Sequence, residues 1–410
     1  MTVTPRAVAP PIVMGSPEFA ADPPAHYAWL RENAPVGQVR LDFGAFAQDV
    51  WVVSRYADCK AMLTDPRLRR SPFDGAAAGV EIPEHVRLVT STLDMKDGAE
   101  HRRLRTLVIS PFTPKRIELL GEQVRVLAGR QLDELGARGV DGPVDLRRDY
   151  ALPVTYTVIA ELVGVGDDDR PRFQRGVTAL MGSGTREDWD AGLRELVAIT
   201  RDLVARKRAE PGEDLVSGLI AAEEAGDRLD DTELLAMVFS LVTAGYETTY
   251  NLITNAVAAL LEHPDQLGLL RSTPADGPLW RSAIEEVARC LPSITATRPA
   301  TAMEDIEWHG QTVPAGASVI PLLAAANRDP EVFEDPERFD ITRSPNPHLG
   351  FGHGVHFCLG ANLARMEARV ALQVLFERHP KLALAVDRSE LALEPMPLWN
   401  RYRELPVHLG

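Results

Sequence analysis

The sequence predicts a mainly α-helical protein with a small β part. Three observations support this prediction. Helical periodicity dominates residues 99–272, one predicted helix alone spans Thr232–Glu262, and the strand-like segments are few and short. No internal repeat, low-complexity linker or block of like charge divides the chain. We therefore expect a loose arm over residues 1–20 and a single domain over residues 21–410.

The first hundred residues combine helices with a hairpin. Helical patterns cover Pro24–Asn33 and Tyr56–Thr64, and strand patterns cover Gln38–Leu41 and Val50–Ser54 on either side of a turn. Residues 71–95 have no clear period and are rich in Gly and Ala. We interpret them as a long loop, and long loops in compact domains are usually functional.

The helix predicted over Thr232–Glu262 is the longest element. Asp230 is a suitable N-cap, Glu233 completes a capping box, and His263-Pro264 marks the end of the helix. About 31 residues that each rise 1.5 Å form a rod of roughly 46 Å. A rod of that length can cross the whole molecule, so we expect a central helix.

The C-terminal third is predicted to alternate short strands with two helices. The helices cover residues 281–290 and Leu359–Arg378, and the strand candidates are 294–298, 306–308 and 317–321. The last helix carries apolar residues on one face, which indicates that it packs against a core.

The composition restricts the function. Of 410 residues 45% are apolar and 25% are charged, which excludes a disordered or collagen-like chain. The net charge of 44 − 59 = −15, without a polybasic tract, argues against nucleic acid as a partner. No apolar run is long enough for a membrane span or a signal peptide. The three cysteines, Cys59, Cys290 and Cys358, lack zinc spacing, so we expect a reducing compartment, the cytoplasm.

The most specific motif is a glycine-rich loop that places one cysteine at the start of the last helix. It reads Phe351-Gly-His-Gly-Val-His-Phe-Cys358-Leu-Gly360. Free N–H groups at a helix N-terminus lower the pKa of a thiol and bind its thiolate. Such a cysteine can be a haem ligand, a nucleophile with His356 as its base, or a buried structural residue.

A second motif interrupts the long helix. The segment Ala244-Gly245-Tyr246-Glu247-Thr248 places Gly in a helix interior, where it is unfavourable by about 1 kcal/mol relative to Ala. The Thr248 hydroxyl can bond back to the Ala244 carbonyl and open the helix locally. These features predict a notch beside an acid and an alcohol, although a polar patch on a surface helix would have the same sequence.

The loop motif resembles a known family. Phe351, Gly354, His356, Cys358 and Gly360 match the pattern F-x-x-G-x-[HR]-x-C-x-G of the haem-binding loop of the cytochromes P450. The resemblance spans roughly residues 20–410. It implies haem b held between the long central helix and the cysteine helix, with Cys358 as the axial ligand of the iron. A haem thiolate favours O–O cleavage, so the implied reaction inserts one oxygen atom from O₂ into a C–H bond or a double bond.

The resemblance also implies roles for other residues. Thr248 steadies dioxygen, Glu247 feeds a proton relay, and Ala244 with Gly245 forms the oxygen groove. Many relatives have His where this chain has Tyr246. Besides Cys358, the loop residues that contact the haem are Phe351, Gly352 and Gly360.

Cations and an ion pair complete the implied haem site. The implied propionate ligands are His101, Arg105, Arg298 and His356. Glu286 and Arg289 lie at i, i+3 on one helix face, which alone indicates no more than an exposed ion pair. In the family this pair joins an Arg from the following irregular stretch in a buried triad that braces the cysteine loop, and Arg338 is our candidate. At the helix start relatives often read D-P-P-E-H, whereas this chain has Asp97-Gly-Ala-Glu-His101.

The resemblance locates the substrate pocket only coarsely. It implies a lining from residues 71–95 and 165–190, from Phe239–Thr243 of the central helix, from Ser293–Thr297 and from the tail around Leu398. The predicted pocket residues are Phe239, Val242, Thr243, Ile294, Thr295 and Leu398. Several are apolar, so we expect an apolar small molecule, such as a bacterial polyketide or terpenoid.

Electrons are expected from a separate ferredoxin and ferredoxin reductase, because no flavin or iron–sulfur module is evident. Arg102, Arg103, Arg365 and Arg369 form a candidate docking patch, unless they pair with acids such as Glu100 and Glu367. Three alternatives stay open: a peroxide-driven peroxygenase, which often lacks the acid–alcohol pair, a non-catalytic module of the same fold, and a colourless hydrolase that uses Cys358 and His356.

Overall fold

The long helix Asp231–Glu262 forms the centre of the computed structural model, which describes residues 11–410 except 45–46, 71–82, 110–111, 138–141, 167–168, 182–184 and 225–228. The predicted capping box is confirmed, because the Asp230 carboxylate accepts from the Glu233 N–H and the Glu233 carboxylate accepts from the Asp230 N–H. Of its 32 residues 22 are buried, so it is a core helix and not a surface helix.

The described helices, in chain order, are α1 (Pro17–Ala21), α2 (Pro23–Asn33), α3 (Tyr56–Met62), α4 (Glu84–Thr90), α5 (Gly98–Val108), α6 (Pro114–Leu119), α7 (Gly121–Ala137), α8 (Leu152–Val163), α9 (Arg170–Met181), α10 (Arg186–Ala209), α11 (Leu215–Glu224), α12 (Asp231–Glu262), α13 (Pro264–Arg271), α14 (Pro278–Cys290), α15 (Leu323–Ala326) and α16 (Ala361–Arg378). A π-helical turn, Arg147–Ala151, leads into α8.

The described strands are short. They are β1 (Val13–Met14), β2 (Val36–Asp42), β3 (Ala47–Val53), β4 (Leu68–Arg69), β5 (Val144–Asp145), β6 (Ala300–Ala302), β7 (Ile306–Trp308), β8 (Gln311–Val313), β9 (Ser318–Pro321), β10 (Ala383–Leu384) and β11 (Pro406–His408).

The strands form a six-stranded sheet of order β1-β2-β3-β9-β6-β4, a three-stranded sheet of order β10-β11-β5, and the β7-β8 hairpin. The predicted hairpin is the antiparallel β2–β3 pair, and β9 joins β3 in parallel. The main hydrophobic core surrounds α12 and includes side chains of α7, α8, α10, α14 and α16. Two smaller clusters lie against the six-stranded sheet. The mainly α fold with a small β part is therefore confirmed.

The N-terminal arm is shorter than predicted. Residues 1–10 lie outside the described residues, but β1 pairs with β2 and α1 follows it. Met14 is fully buried and Phe19 is 8% exposed, so both belong to a core cluster. The prediction of a loose arm as far as residue 20 is therefore wrong, because these apolar side chains cover the edge of the sheet.

Two further predictions of local structure need correction. Part of the predicted loop 71–95 is the helix α4, and residues 71–82 lie outside the described residues. The segment 294–298 is not a strand, since its backbone bonds mainly to the C-terminal tail: the Thr295 N–H donates to the Leu398 carbonyl. Ile294 forms only an isolated bridge, with Trp399, and the strand β6 begins at Ala300.

Candidate active site

Cys358 lies in a tight loop that leads into α16. Gly352 and Gly354 have φ of 74° and 72°, a left-handed conformation that favours glycine, and they turn the chain on either side of His353. The Cys358 N–H donates to the Phe351 carbonyl at 2.9 Å and closes the loop. Cys358 is exposed, whereas Cys59 and Cys290 are buried. The loop therefore presents a single thiol.

Cys358 is exposed to solvent, and yet its thiol is crowded by protein atoms. This crowding raises its pKa, while the Gly360 N–H, Arg365 and Arg105 act to lower it. The helix-terminus effect predicted for the thiolate is present, but it does not outweigh the loss of solvation. A coordinated metal ion would deprotonate the thiol outright.

Arg365 braces the cysteine loop. Its guanidinium stacks 4.3 Å from the centre of the Phe351 ring and donates two hydrogen bonds, of 2.7 and 2.8 Å, to Glu285 on α14. Burial of Glu285 would raise its pKa, but hydrogen bonds from His348 and Arg365 outweigh burial and lower it to about 2. The carboxylate thus ties α14, the loop and α16 together.

A buried ion pair adjoins this brace. Arg289 donates to Glu286 at 2.8 and 2.7 Å, and both side chains are fully buried. The third cation is Arg343, whose Nε lies 3.3 Å from Glu286, and Asn346 adds a hydrogen bond. The prediction of Arg338 is wrong, because its side chain is 64% exposed and only its carbonyl contacts Arg289 and Arg343.

The predicted propionate ligands gather on one side of the loop. The His101 and His356 rings lie 4.3 Å apart, and Arg105 donates to the Phe357 carbonyl at 2.7 Å. Arg298 pairs with Asp94 at 2.5 Å. Burial, with the nearby His356 and Arg105, lowers the pKa of His101 to about 4.

Two neighbours of this cation cluster were not predicted. Asp97 accepts a hydrogen bond from His356 at 3.0 Å and another from the backbone N–H of Arg70 at 2.6 Å. Burial lowers the pKa of Arg70, while the nearby Asp94 and Asp97 act to raise it. The only sequence cue for Arg70 was its place in the basic run after Asp65-Pro66.

The predicted notch in α12 is present. Between Glu233 and Glu262, Ala244 is the one exposed residue, although it lies near the middle of a core helix. The Thr248 hydroxyl donates to the Ala244 carbonyl at 2.8 Å, as predicted. Gly245 faces elsewhere, since a Cβ on it would lie 2.6 Å from Ile159 of α8. Gly245 therefore permits close helix packing and does not itself line the groove.

Glu247 points away from the exposed face of this notch. It is 2% exposed and pairs with Arg401 of the C-terminal tail, and it accepts a hydrogen bond from Tyr250 at 3.1 Å. Arg401 also binds Glu394. Tyr246 packs edge-on against Tyr156. Glu247 and Thr248 are thus adjacent in sequence but differ in surroundings. Nothing in the sequence indicated that Arg401 would pair with Glu247.

Comparison with known proteins identifies the family. A family model described as cytochrome P450 matches residues 275–382. The chain is 39% identical to cytochrome P450 monooxygenase PikC of Streptomyces venezuelae over 391 residues, 95% of this chain and 92% of that protein. It is 40% identical to vitamin D(3) 25-hydroxylase of Pseudonocardia autotrophica over 398 residues, 96% of this chain and 95% of that protein. The chain is a cytochrome P450.

The fold agrees with this assignment. The structure of the cytochrome P450 PksS of Bacillus subtilis 168 is similar to it, with a TM-score of 0.88 and 34% identity over 97% of this chain and 99% of that chain. This cytochrome P450 is therefore a haem-dependent monooxygenase with the fold of its family. Within the described part of the chain, none of the helices combines the length and the apolar character that a membrane span requires.

The residues of this P450 fit a haem. Among the described residues, no cluster of three or more His, Cys, Asp and Glu side chains could hold a metal ion by itself. The protein instead offers one thiol, which suits an iron whose other ligands belong to the cofactor. Ala244 on α12 is exposed, and a Cβ on Gly360 would point into open space, so both positions leave room for a bound group.

The predicted pocket residues are placed unevenly. Phe239 and Val242 are 2% and 1% exposed, and both belong to the main core. Phe239 also lies on the side of α12 opposite Thr248. The structure therefore does not support either residue as part of the pocket lining. The Thr295 side chain faces Tyr27 near the sheet. Ile294 and Leu398 are partly buried, and the Thr243 hydroxyl bonds to the Phe239 carbonyl at 2.8 Å. Ser293 begins the predicted lining segment Ser293–Thr297, and its hydroxyl donates to the Thr248 carbonyl at 2.7 Å, a contact that the sequence did not predict.

Proposed function

We propose that this P450 binds haem b through the Cys358 thiolate and oxidises an apolar small molecule with O₂. One observation carries the proposal. The exposed cysteine stands at the start of α16, which packs against α12, and the exposed residue between Glu233 and Glu262 of α12 is Ala244, one turn before Thr248. Bound haem supplies the oxidising power, and its thiolate ligand favours O–O cleavage.

The protein's own residues have three tasks in this reaction. Thr248 orients dioxygen: its O–H donates to the Ala244 carbonyl, which fixes the hydroxyl and leaves its two lone pairs to accept hydrogen bonds in the groove. His101, Arg105, Arg298 and His356 offer charge and hydrogen bonds to the haem propionates. The described chain from β1 onward acts as one catalytic domain and excludes water from the site.

The relatives support a bacterial secondary metabolite as the substrate. They include 6-deoxyerythronolide B hydroxylase, mycinamicin IV hydroxylase/epoxidase and polyketide biosynthesis cytochrome P450 PksS, at 39%, 39% and 35% identity. We propose a polyketide or a terpenoid as the substrate and hydroxylation or epoxidation as the outcome. The expected compartment is the cytoplasm, where a free thiol stays reduced.

A ferredoxin, itself reduced by a ferredoxin reductase, is the proposed electron donor. It would dock on a proximal patch that consists of Arg102, Ile109, Val355 and Phe357. The three apolar residues are 44%, 57% and 39% exposed, and the bond from Arg105 to Phe357 joins α5 to the cysteine loop. Arg103, Arg365 and Arg369 pair instead with Glu233, Glu285 and Glu118, not with the Glu100 and Glu367 considered from sequence.

A labelled-oxygen experiment tests the proposed function. Polyketides and terpenoids would first be screened for a shift of the haem spin state, and the best ligand would then be turned over with ferredoxin, reductase and isotopically labelled O₂. We expect one labelled oxygen atom in the product. Label-free product, or full turnover with peroxide and no electron donor, would contradict the proposal, and the second result would indicate a peroxygenase.

A further inference from the structure

A cavity of about 480 Å³ lies on the side of α12 that faces away from the notch. Tyr246 and Tyr250 form part of its wall. At about 100° per residue, each of them lies about 160° around the helix from Thr248. A helix with its side chains is about 10–12 Å thick, so α12 itself separates this cavity from the groove beside Thr248.

The cavity is large enough to hold a small molecule. Protein interiors are closely packed and contain few voids larger than a water molecule. Ligand pockets measure about 300–1,000 Å³, and this cavity falls within that range. Its walls come from the π-helical turn before α8, from α8, from α12 and from the C-terminal tail.

The charged side chains of the lining have an excess of positive charge. They are Arg147, Arg401 and Arg403 against Glu247 and Glu394, which gives 3 − 2 = +1 on a chain whose net charge is −15. Burial raises the pKa of Glu247, while Arg401, Tyr250 and Arg147 act to lower it. Protonation of this acid would add to the positive balance, so the cavity favours an anion.

Two of the three arginines are available to such an anion. Arg401 is occupied, because it pairs with both Glu247 and Glu394. Arg147 is 17% exposed and lies 3.5 Å from Glu394, its one ion pair among the described residues. Arg403 is exposed, and its guanidinium has neither a hydrogen bond nor an ion pair with any described residue. The positive excess therefore lies at the solvent-exposed edge of the cavity.

The remaining walls are aromatic and apolar, and they are held in place. Leu152 and Met396 line the cavity together with the two tyrosines. The Tyr250 hydroxyl donates to Glu247 at 3.1 Å and accepts from Arg147 at 3.1 Å. Tyr246 packs edge-on against Tyr156. A preformed apolar wall beside a few polar groups is the usual composition of a small-molecule site.

We propose that this cavity is a second small-molecule site, which binds a carboxylate with an aromatic or short apolar body. The carboxylate binds Arg403 and Arg147, since a guanidinium matches its planar, forked geometry. The body of the ligand lies against Tyr246 and Tyr250. The inference goes beyond the proposed oxidation and does not depend on it, because α12 stands between the two sites.

Binding of benzoate to the haem-loaded protein tests the site. Calorimetry should show one benzoate per chain, and the melting temperature should rise with benzoate concentration, since the ligand binds the folded state. The haem spectrum should stay unchanged, because benzoate binds behind α12. Acetate lacks the ring and benzamide lacks the charge, so each should bind at least about tenfold more weakly.

Variants of the lining locate the bound benzoate. Arg403→Gln should weaken binding about tenfold, because it removes a charge-assisted hydrogen bond. Arg148→Gln is the matched control and should bind like the wild type, since Arg148 is 68% exposed and pairs with Asp149. Met396→Trp keeps every charge but fills the cavity, so it should abolish binding.

Four results would each overturn the inference. They are a wild type that does not bind benzoate, benzamide bound as tightly as benzoate, equal affinity in Arg403→Gln and Arg148→Gln, and benzoate that binds only with a shift of the haem spectrum. If Arg403→Gln does not fold, Met396→Trp decides the matter, and wild-type affinity in that variant would place benzoate outside the cavity. None of these results bears on the incorporation of labelled oxygen, which tests the proposed function separately.

Discussion

Adjacent residues at the notch have opposite surroundings because a helix turns about 100° per residue. Thr248 lies half-buried beside the exposed Ala244, whereas Glu247 is buried against Arg401. The alcohol therefore faces the notch, and the acid faces the C-terminal tail. Under the proposed function, this placement assigns oxygen activation to the Thr248 hydroxyl.

Thr248→Ala should uncouple the enzyme. Reductant and O₂ would still be consumed, but product per reductant should fall about tenfold and peroxide should replace it, because positioned proton transfer contributes about 10²–10⁴-fold. Product and peroxide yields against reductant measure this. Thr254→Val is the control, since Thr254 is buried and bonds only within its helix. Unchanged coupling in Thr248→Ala would mean that Thr248 has no part in oxygen activation.

Local chemistry was predictable from the sequence, and long-range partners were not. The Thr248 bond, the Asp230 cap and the pairing of Glu286 with Arg289 depend on spacing within one helix, which the sequence shows directly. Arg343 and Arg401 come from irregular segments whose path depends on tertiary packing. Arg338 and Arg343 lie five residues apart in such a segment, so no periodicity distinguishes them.

At the scale of elements, the cysteine loop is held by three contacts between α14, α16 and the irregular chain. Arg365 forms an ion pair with Glu285, and Arg289 forms one with Glu286. Arg343 adds a second cation beside Glu286. Breaking one partner of a buried pair leaves an uncompensated charge and is destabilising by about 3–5 kcal/mol. The position of the loop that carries Cys358 therefore depends on charged side chains outside the loop itself.

Glu286→Ala and Arg289→Ala should yield little haem-loaded protein, because each leaves an unpaired buried charge. Arg343→Ala should load less haem than the wild type, because it removes the second cation beside Glu286. Arg338→Ala is the matched control and should load haem normally, since its side chain is exposed. The ratio of haem to protein absorbance after purification measures the effect. If Arg343→Ala binds a full complement of haem and Arg338→Ala does not, the third cation is Arg338 and not Arg343.

Glu285 should make the fold sensitive to acid. Its pKa in the folded protein is about 2 against an ordinary 4.5, so the folded state binds fewer protons than the unfolded state between these values. The resulting stability is present above pH 4.5 and is lost as the pH falls towards 2. Urea unfolding of wild type and Glu285→Gln at several pH values measures it.

In this window the wild type should lose up to about 3 kcal/mol more than Glu285→Gln, which cannot titrate at that position. Glu377→Gln is the control, because Glu377 is 55% exposed in its pair with Arg125. Parallel pH curves for wild type and Glu285→Gln would show that His348 and Arg365 do not stabilise the carboxylate.

At the scale of the whole molecule, charge and topology have separate consequences. The net charge of −15 repels an acidic partner, so docking of the proposed ferredoxin needs a local cation on the proximal patch.

The architecture was predictable because one long, capped helix and a few strands dominate the pattern. The buried N-terminal segment around Met14 was not predictable, since proline-rich sequence gives no period and Met14 pairs with Leu41, 27 residues further along the chain.

Arg102→Glu should slow reduction by ferredoxin several-fold at low salt and flatten its salt dependence, because electrostatic steering raises association rates about 10–10³-fold. Stopped-flow reduction across an ionic-strength series measures this, and reduction by dithionite should not change. Arg103→Glu is a milder comparison, as Arg103 already pairs with Glu233. Wild-type rates and salt slopes in Arg102→Glu would remove the proximal patch from docking.

The spectrum of the reduced carbon monoxide complex tests the central claim most directly. The claim is that the Cys358 thiolate is the axial ligand of the haem iron. The wild type, and Cys59→Ala as a cysteine control, should show the red-shifted Soret band of a thiolate-bound haem. Cys358→Ser and Cys358→His should lose that band and O₂-dependent turnover together. A Cys358→Ser protein that keeps both, or a wild type that never takes up haem, would contradict the account.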